Sequence, residues 1–182
     1  MTCYLLLVTY AARCCSLDPP PGLEAFLREV GNGESGFGGT EYASGAMSLH
    51  DYLHLLVDYA AGRNMADGHV QATTFWAIDG GVEVVGMLRL RHRLNDALLN
   101  SGGHIGYYVR PAARGNGYAT EMLRLALDEA RALGIERVLL TAYTTNHASV
   151  RVIEKNGGVL ENVVPHPETG EPHGRFWIDL SG

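Results

Sequence analysis

The residues best suited to chemistry lie together in the stretch HIGYYVRPAARGNGYATEML, 104–123. An apolar run over His104–Val109 reads as a strand and is stopped by Pro111, since proline cannot donate to a sheet ladder. A loop carrying Arg114-Gly115-Asn116-Gly117 follows, and helical periodicity begins at once. The first N–H groups of a helix have no partner inside it, and the helix dipole adds partial positive charge there. A strand, a glycine-rich loop and a helix start in this order form a site for phosphate. Glycine lets a phosphate approach the backbone with no Cβ in the way. Arg114 supplies a charge-assisted donor.

Three phosphate-binding patterns compete for this segment. A dinucleotide fingerprint needs Gly-x-Gly-x-x-Gly/Ala, but its last position here is Thr120. It also wants an acid about twenty residues on, at the end of the next strand, where Tyr143 and Thr144 stand instead. A nucleoside triphosphate loop needs Gly-Lys-Ser/Thr, and no lysine is near. The pattern Arg/Gln-x-x-Gly-x-Gly/Ala does fit, as Arg114-x-x-Gly117-x-Ala119. It resembles the acetyl-CoA pyrophosphate loop of the GNAT superfamily of N-acetyltransferases. NHASVRVIEKNGG, 146–158, resembles the superfamily's element in which an Asn opens a helix beside the CoA arm. RHRLNDALLNSGGHIGY, 91–107, resembles a bacterial subgroup of predicted acetyltransferases. The resemblance runs over about residues 23–180 and is strongest from Phe75 to Gly158.

This resemblance implies acetyl-CoA as cosubstrate, no metal, and a small-molecule or peptide amine as acceptor. The strand backbone at Tyr107, Tyr108 and Val109 would pair with the pantetheine arm. Arg114, Gly115, Asn116, Gly117, Tyr118, Ala119 and Thr120 would hold the pyrophosphate, and Asn146 would touch the pantetheine. An N–H near Val109 would stabilise the oxyanion. The acceptor would enter opposite, between 31–50 and 161–174. Many members carry a Glu base where this chain has His104, which makes His104 the candidate base; a histidine hydrogen-bonded within the sheet is the other reading. The usual acid is a Tyr seven residues after the helix-opening Asn, and here that position is Ile153, which cannot donate a proton. Tyr143, Tyr107, Tyr118 or a water would have to substitute. A lysine amine costs about 4–5 kcal/mol to deprotonate at pH 7 and an α-amine about 1–1.5. A weak set of bases therefore favours α-amine acceptors. A non-catalytic acyl-CoA-binding module is the rival reading, motivated by Ile153.

These residues need a scaffold. Tyr4–Thr9 reads as a strand and Leu23–Val30 as a short helix after Pro19-Pro20-Pro21. Six glycines in 31–47 predict a mobile loop. Ser48, with Asp51 three residues on, caps a helix whose apolar face includes Tyr52, Leu53 and Leu56. Strands over Thr74–Ile78 and Val82–Leu90 flank the turn Asp79-Gly80-Gly81. A connection over 91–103 carries Asn95 and Asp96, which suit a turn or a substrate contact. The clearest helix runs from Gly117 to Leu133. A strand over Val138–Ala142, a helix over Asn146–Lys155, and strands at Val159–Val163 and Phe176–Leu180 complete the order. This is an α/β (α+β) layered pattern. The resemblance makes it a mostly antiparallel, twisted sheet splayed at the acetyl-CoA strand and flanked by helices. The chain reads as one domain over 1–182, with 1–65 bordering the acceptor site and 74–160 forming the acetyl-CoA-binding core.

Composition narrows the field. Net charge is −6 at pH 7, which argues against nucleic acid as a partner. The apolar run at the N-terminus has no basic residue before it and is short, so neither an export signal nor a membrane span is expected, and the cytoplasm is the expected location. Cys3, Cys14 and Cys15 suit free thiols better than a disulfide framework or a zinc site. His50-Asp51-Tyr52-Leu53-His54 imitates a helical zinc signature, but Asp51 is better used as the capping residue; the two histidines could face the acceptor. His166 and His173 bracket a loop that reads as solvated. Trp76 and Trp177 read as core or cleft wall. Glu34, Glu41, Glu161, Glu168 and Glu171 near the expected cleft favour a cationic acceptor. A homodimer is left open.

Overall fold

Strands β3 (Ala72–Asp79) and β4 (Glu83–Arg91) are buried at most positions because both faces of their sheet are covered. Strand alternation sends Phe75, Leu88, Leu90 and Ile105 to one face and Trp76, Ile78, Met87 and Tyr108 to the other. The computed structural model describes residues 4–6, 10–14, 17–34, 36–80 and 83–181, with side chains from residue 17 onward. Five antiparallel strands form the first sheet in the order β1 (Tyr4–Leu6), β2 (Tyr10–Cys14), β3, β4 and β5 (Ile105–Val109). A three-stranded antiparallel sheet follows, in the order β6 (Arg137–Tyr143), β8 (Pro172–Asp179), β7 (Val159–Pro165). Residues 7–9 of the first expected strand, Gly81 and Val82 of the hairpin, and Cys3 and Cys15 lie outside the described residues, as does the Cys14 side chain.

Helices α1 (Leu23–Val30) and α2 (Leu49–Ala60) bury Phe26, Leu27, Tyr52 and Leu56 against Trp76, Met87 and Tyr108. Helices α4 (Tyr118–Ala132) and α5 (His147–Lys155) cover the other face, where Leu123, Ala126 and Ile153 meet Leu88, Leu140 and Phe176. The expected caps form. Ser48 Oγ accepts from the Asp51 N–H at 3.1 Å, and Asn146 Oδ1 accepts from the Ser149 N–H at 3.1 Å. No described helix is long and apolar enough to cross a membrane.

Two expectations need correction. Residues 31–34 and 36–47 pack instead of hanging free. A 3₁₀ turn at Glu41–Ser44 buries Tyr42, whose hydroxyl donates to Glu24 at 2.7 Å, and Phe37 stacks on Tyr108 at 5.8 Å. The glycines here serve close approach: a Cβ on Gly33 would sit 1.9 Å from the Phe37 carbonyl oxygen, at φ +83°. The connection 91–103 holds a further helix, α3 (Asp96–Asn100), capped by Asn95. Asn95 also donates to the Gly68 carbonyl at 2.8 Å, so its polar groups are used by the fold.

Candidate functional site

The two sheets touch at one end and part at the other. The His104 N–H donates to the Leu139 carbonyl at 2.7 Å, and the Leu139 N–H donates to His104 Nδ1 at 2.9 Å. One step back, the Gly102 N–H donates to Thr141 Oγ1 at 2.9 Å. Gly103 permits this approach, since a Cβ there would lie 2.4 Å from the Leu139 carbonyl oxygen. Beyond this junction a cleft of about 580 Å³ opens, lined by Ile105–Val109 on one side and Leu140–Ala142 with α5 on the other.

Strand β5 presents its free edge to this cleft. The Arg91 N–H donates to the His104 carbonyl and the Arg110 N–H to the Val85 carbonyl, which fixes the phase of the ladder. Alternation then turns the backbone groups of Ile105, Tyr107 and Val109 outward. Tyr107 and Val109 thus turn their backbone groups toward the cleft, where the Val109 carbonyl is held by Arg114. Tyr108 does not, because its N–H and C=O face Met87 on β4. Its ring instead packs between Phe26 and Phe37, under the Arg114 guanidinium at 5.5 Å.

The edge runs into the loop before α4. Gly115 and Gly117 sit at φ +82° and +85°, where side chains are rarely tolerated. Among the described residues no side chain caps α4, and Gly117 is its N-cap. The helix start, with its first N–H groups, borders the cleft, lined here by Tyr118, Ala119 and Thr120. Asn116 Nδ2 donates to the Ala113 carbonyl at 3.2 Å, bracing the turn. Arg114 lines the cleft and also holds the loop. Its Nε donates to the Val109 carbonyl at 2.9 Å and its Nη2 pairs with Glu34, so it ties the loop to β5 and to the 31–39 segment. Asn146 lines the cleft while capping α5, and Arg151 and Lys155 of α5 add positive charge to the same wall.

The proton-handling candidates separate by environment. His104 is buried, and burial, reinforced by the charge of Arg91, pulls its pKa down to about 4. With Nδ1 already accepting a backbone N–H, this is the geometry of the sheet histidine. Tyr107 reaches the Ser149 carbonyl at 3.4 Å, and burial pushes its phenol up to about 12. Tyr118 on α4 and Ile153 on α5 are both buried and both line the cleft. Tyr143 sits at the end of β6 in a cluster of three rings, 5.2 Å from both His166 and His173. Gly36 of the 31–39 segment lies against its ring. His173 is not in a solvated loop. It is buried on β8, its Nδ1 has no partner among the described residues, and burial lowers its pKa.

Of the five acidic residues expected near the cleft, Glu34 alone lines it, Glu168 and Glu171 lie off it, and three are ion-paired. Glu34 pairs with Arg114, Glu41 with Arg89 at 3.4 Å, and Glu161 with Arg175 at 3.0 Å. His50 and His54 face solvent, 4.4 Å apart, and line no part of the cleft. Sequence reasoning missed Arg89 and Arg91, which both line it. Two charges spaced i, i+2 in an otherwise apolar strand were the available signal.

The family model described as the acetyltransferase (GNAT) domain matches residues 40–159. No match was found among curated protein sequences. The solved structure of RimL, a ribosomal L7/L12 α-N-protein acetyltransferase in complex with coenzyme A, is 15% identical over 97% of each chain, with a TM-score of 0.73. The ribosomal-protein-S5-alanine acetyltransferase of Vibrio fischeri is 16% identical over 97% of this chain and 96% of that one, at 0.69. The microcin C7 self-immunity acetyltransferase MccE, in complex with acetyl-CoA and AMP, is 11% identical over 96% and 94%, at 0.65. At these identities the likeness establishes the fold. The family model spans most of the chain, and on that ground the chain belongs to the GNAT acetyltransferase family of acyltransferase enzymes.

Proposed function

We propose that this chain is an N-acetyltransferase that moves an acetyl group from acetyl-CoA to a primary amine, acting as one domain over 1–182. One observation carries the reading: the open edge of β5 leads directly into the uncapped start of α4 within a single cleft. Tyr107 and Val109 would pair with the pantetheine arm. The N–H groups at 117–120 would take the pyrophosphate, with Arg151 and Lys155 adding charge and Asn146 lining the arm's path. Acetyl-CoA supplies the activated thioester. The acceptor nitrogen forms a bond to its carbonyl carbon, the C–S bond breaks, the amine loses a proton to solvent, and the departing thiolate gains one.

We assign His104 to holding the sheets together, because a neutral, buried imidazole is a weak base. Without a strong base in the cleft, the amine has to arrive neutral, which favours an α-amine over a lysine side chain. The likeness to RimL, a ribosomal L7/L12 α-N-protein acetyltransferase, and to the ribosomal-protein-S5-alanine acetyltransferase supports this acceptor class. Tyr143, whose ring lies against the cleft residue Gly36, is the proposed proton donor to the thiolate, since Tyr107, which lines the cleft, gives its hydroxyl to the Ser149 carbonyl. A reaction using acetyl-CoA suits the cytoplasm. Release of free thiol from acetyl-CoA with a panel of α-amine peptides and lysine analogues tests the reading. Tyr143→Phe should lower kcat by about 10²-fold. Binding of acetyl-CoA with no transfer to any amine favours the binding-module alternative, which the buried Ile153 motivates.

A further inference from the structure

The acceptor half of the cleft carries more positive than negative charge, and the surplus sits on one strand. Arg89 and Arg91 are two residues apart on β4 and project from the same face. Both line the cleft. The cross-strand neighbours of Arg89 are Thr74 on β3 and Gly106 on β5, and Gly106 brings no side chain of its own. Arg91 gives Nη1 to the carbonyls of Gly102 at 3.2 Å and Gly103 at 3.0 Å, bracing the junction. Among the described residues it has no ion-pair partner.

Arg89 is left less satisfied. Its one carboxylate neighbour, Glu41, stands at 3.4 Å from Nη2, well beyond the roughly 2.7–2.9 Å of a good charge-assisted bond. Its Nε is buried with no partner among the described residues. A buried guanidinium N–H left unpaired costs free energy, and such groups persist where a ligand supplies the missing acceptor. Among the residues lining the cleft the one carboxylate is Glu34, and it is paired with Arg114. Two cations against one loosely held carboxylate leave one positive charge, which matches a monoanion better than a doubly charged phosphate.

We infer that the acceptor is an amine carrying a carboxylate close to its reactive nitrogen, and that Arg89 is the specificity residue that holds this carboxylate. The inference rests on the N-acetyltransfer reading above. The Nε and Nη edge of a guanidinium offers the parallel pair of donors that a carboxylate accepts. The same positive field disfavours the protonated amine and so helps present the nitrogen neutral. The carboxylate comes either from a free amino acid or from an acidic side chain beside a peptide N-terminus.

Matched acceptors separate these sources. Rates of thiol release are compared, per neutral amine, for serine against serinamide, for Ser-Asp-Ala amide against Ser-Asn-Ala amide, and for cadaverine. The wild type should favour the carboxylate member of one pair by about 10-fold or more in kcat/KM; that pair names the source. In Arg89→Gln the ratio should fall to near 1, and Arg89→Lys should give an intermediate ratio. Glu41→Gln, which removes the competing carboxylate, should raise it. Each ratio is internal to one protein, so a variant that folds poorly does not distort it. Transfer to both members of both pairs without preference, transfer to cadaverine alone, or a ratio that survives Arg89→Gln overturns the inference and leaves the acetyltransferase reading standing. No transfer to any of the five amines overturns both.

Discussion

His104 and Leu139 are joined twice, backbone N–H to carbonyl at 2.7 Å and backbone N–H to imidazole Nδ1 at 2.9 Å. This pair is the point from which the two sheets part, so the angle of the cleft depends on it. His104→Ala leaves the Leu139 N–H buried without an acceptor, at a cost of about 1–3 kcal/mol. Calorimetric melting should show that loss, while acetyl transfer at pH 8 falls less than about 10-fold. Removing a true general base costs roughly 10²–10⁴-fold. A loss of that size with unchanged melting would return His104 to the role of base.

Stability should fall on acidification earlier than carboxylate titration alone would bring about. The folded-state pKa of His104 is about 4, against an ordinary value of 6.5. Between these values the unfolded chain binds more protons, so stability rises with pH through that window and is lost as pH falls through it. His92 and His173, both lowered by burial, act in the same direction. Urea denaturation at pH 5 and pH 7 measures the difference. His104→Gln should reduce the slope by up to about one proton.

With no titrating base in the cleft, the pH profile of kcat/KM should follow the acceptor. For a peptide α-amine the rate should climb through about pH 8 and then level. For an acceptor of higher amine pKa the climb should move with that pKa. A fixed inflection near pH 6–7 for every acceptor would identify an enzyme base and contradict this account.

Much of this architecture was legible because it rests on local rules. Ser48 with Asp51, Asn146 with Ser149, and the glycines before α4 declare caps and a turn by residue type alone. Long-range geometry was not legible. That Glu34 reaches Arg114, 80 residues away, and that Gly103 fits against Leu139 depend on which strands become neighbours. Acidic composition therefore suggested a cationic acceptor, whereas ion pairing leaves Arg89 and Arg91 to set the local charge. His173 read as loop because neighbouring Pro, Glu and Gly residues masked a strand buried by its sheet partners Tyr143 and Val164.

The folded-over 31–39 segment forms one wall of the cleft and admits no side chain at its crossing. Gly33→Ala sets a Cβ against the Phe37 backbone and should lower the melting temperature markedly and raise the acceptor KM. Gly45→Ala has a similar φ of +69° but open space around it, so it should cost only about 1–2 kcal/mol. Equal effects of the two substitutions would mean that the segment is not held as described.

The central claim is that the loop before α4 and the open edge of β5 bind acetyl-CoA. Isothermal titration of the wild type and of Gly117→Asp with acetyl-CoA tests it most directly. The substitution places a side chain at φ +85° and a negative charge where the pyrophosphate would lie. Saturable binding by the wild type, weakened at least about 100-fold in the variant, is the expected result. Equal binding by both proteins, or none by the wild type, would contradict it.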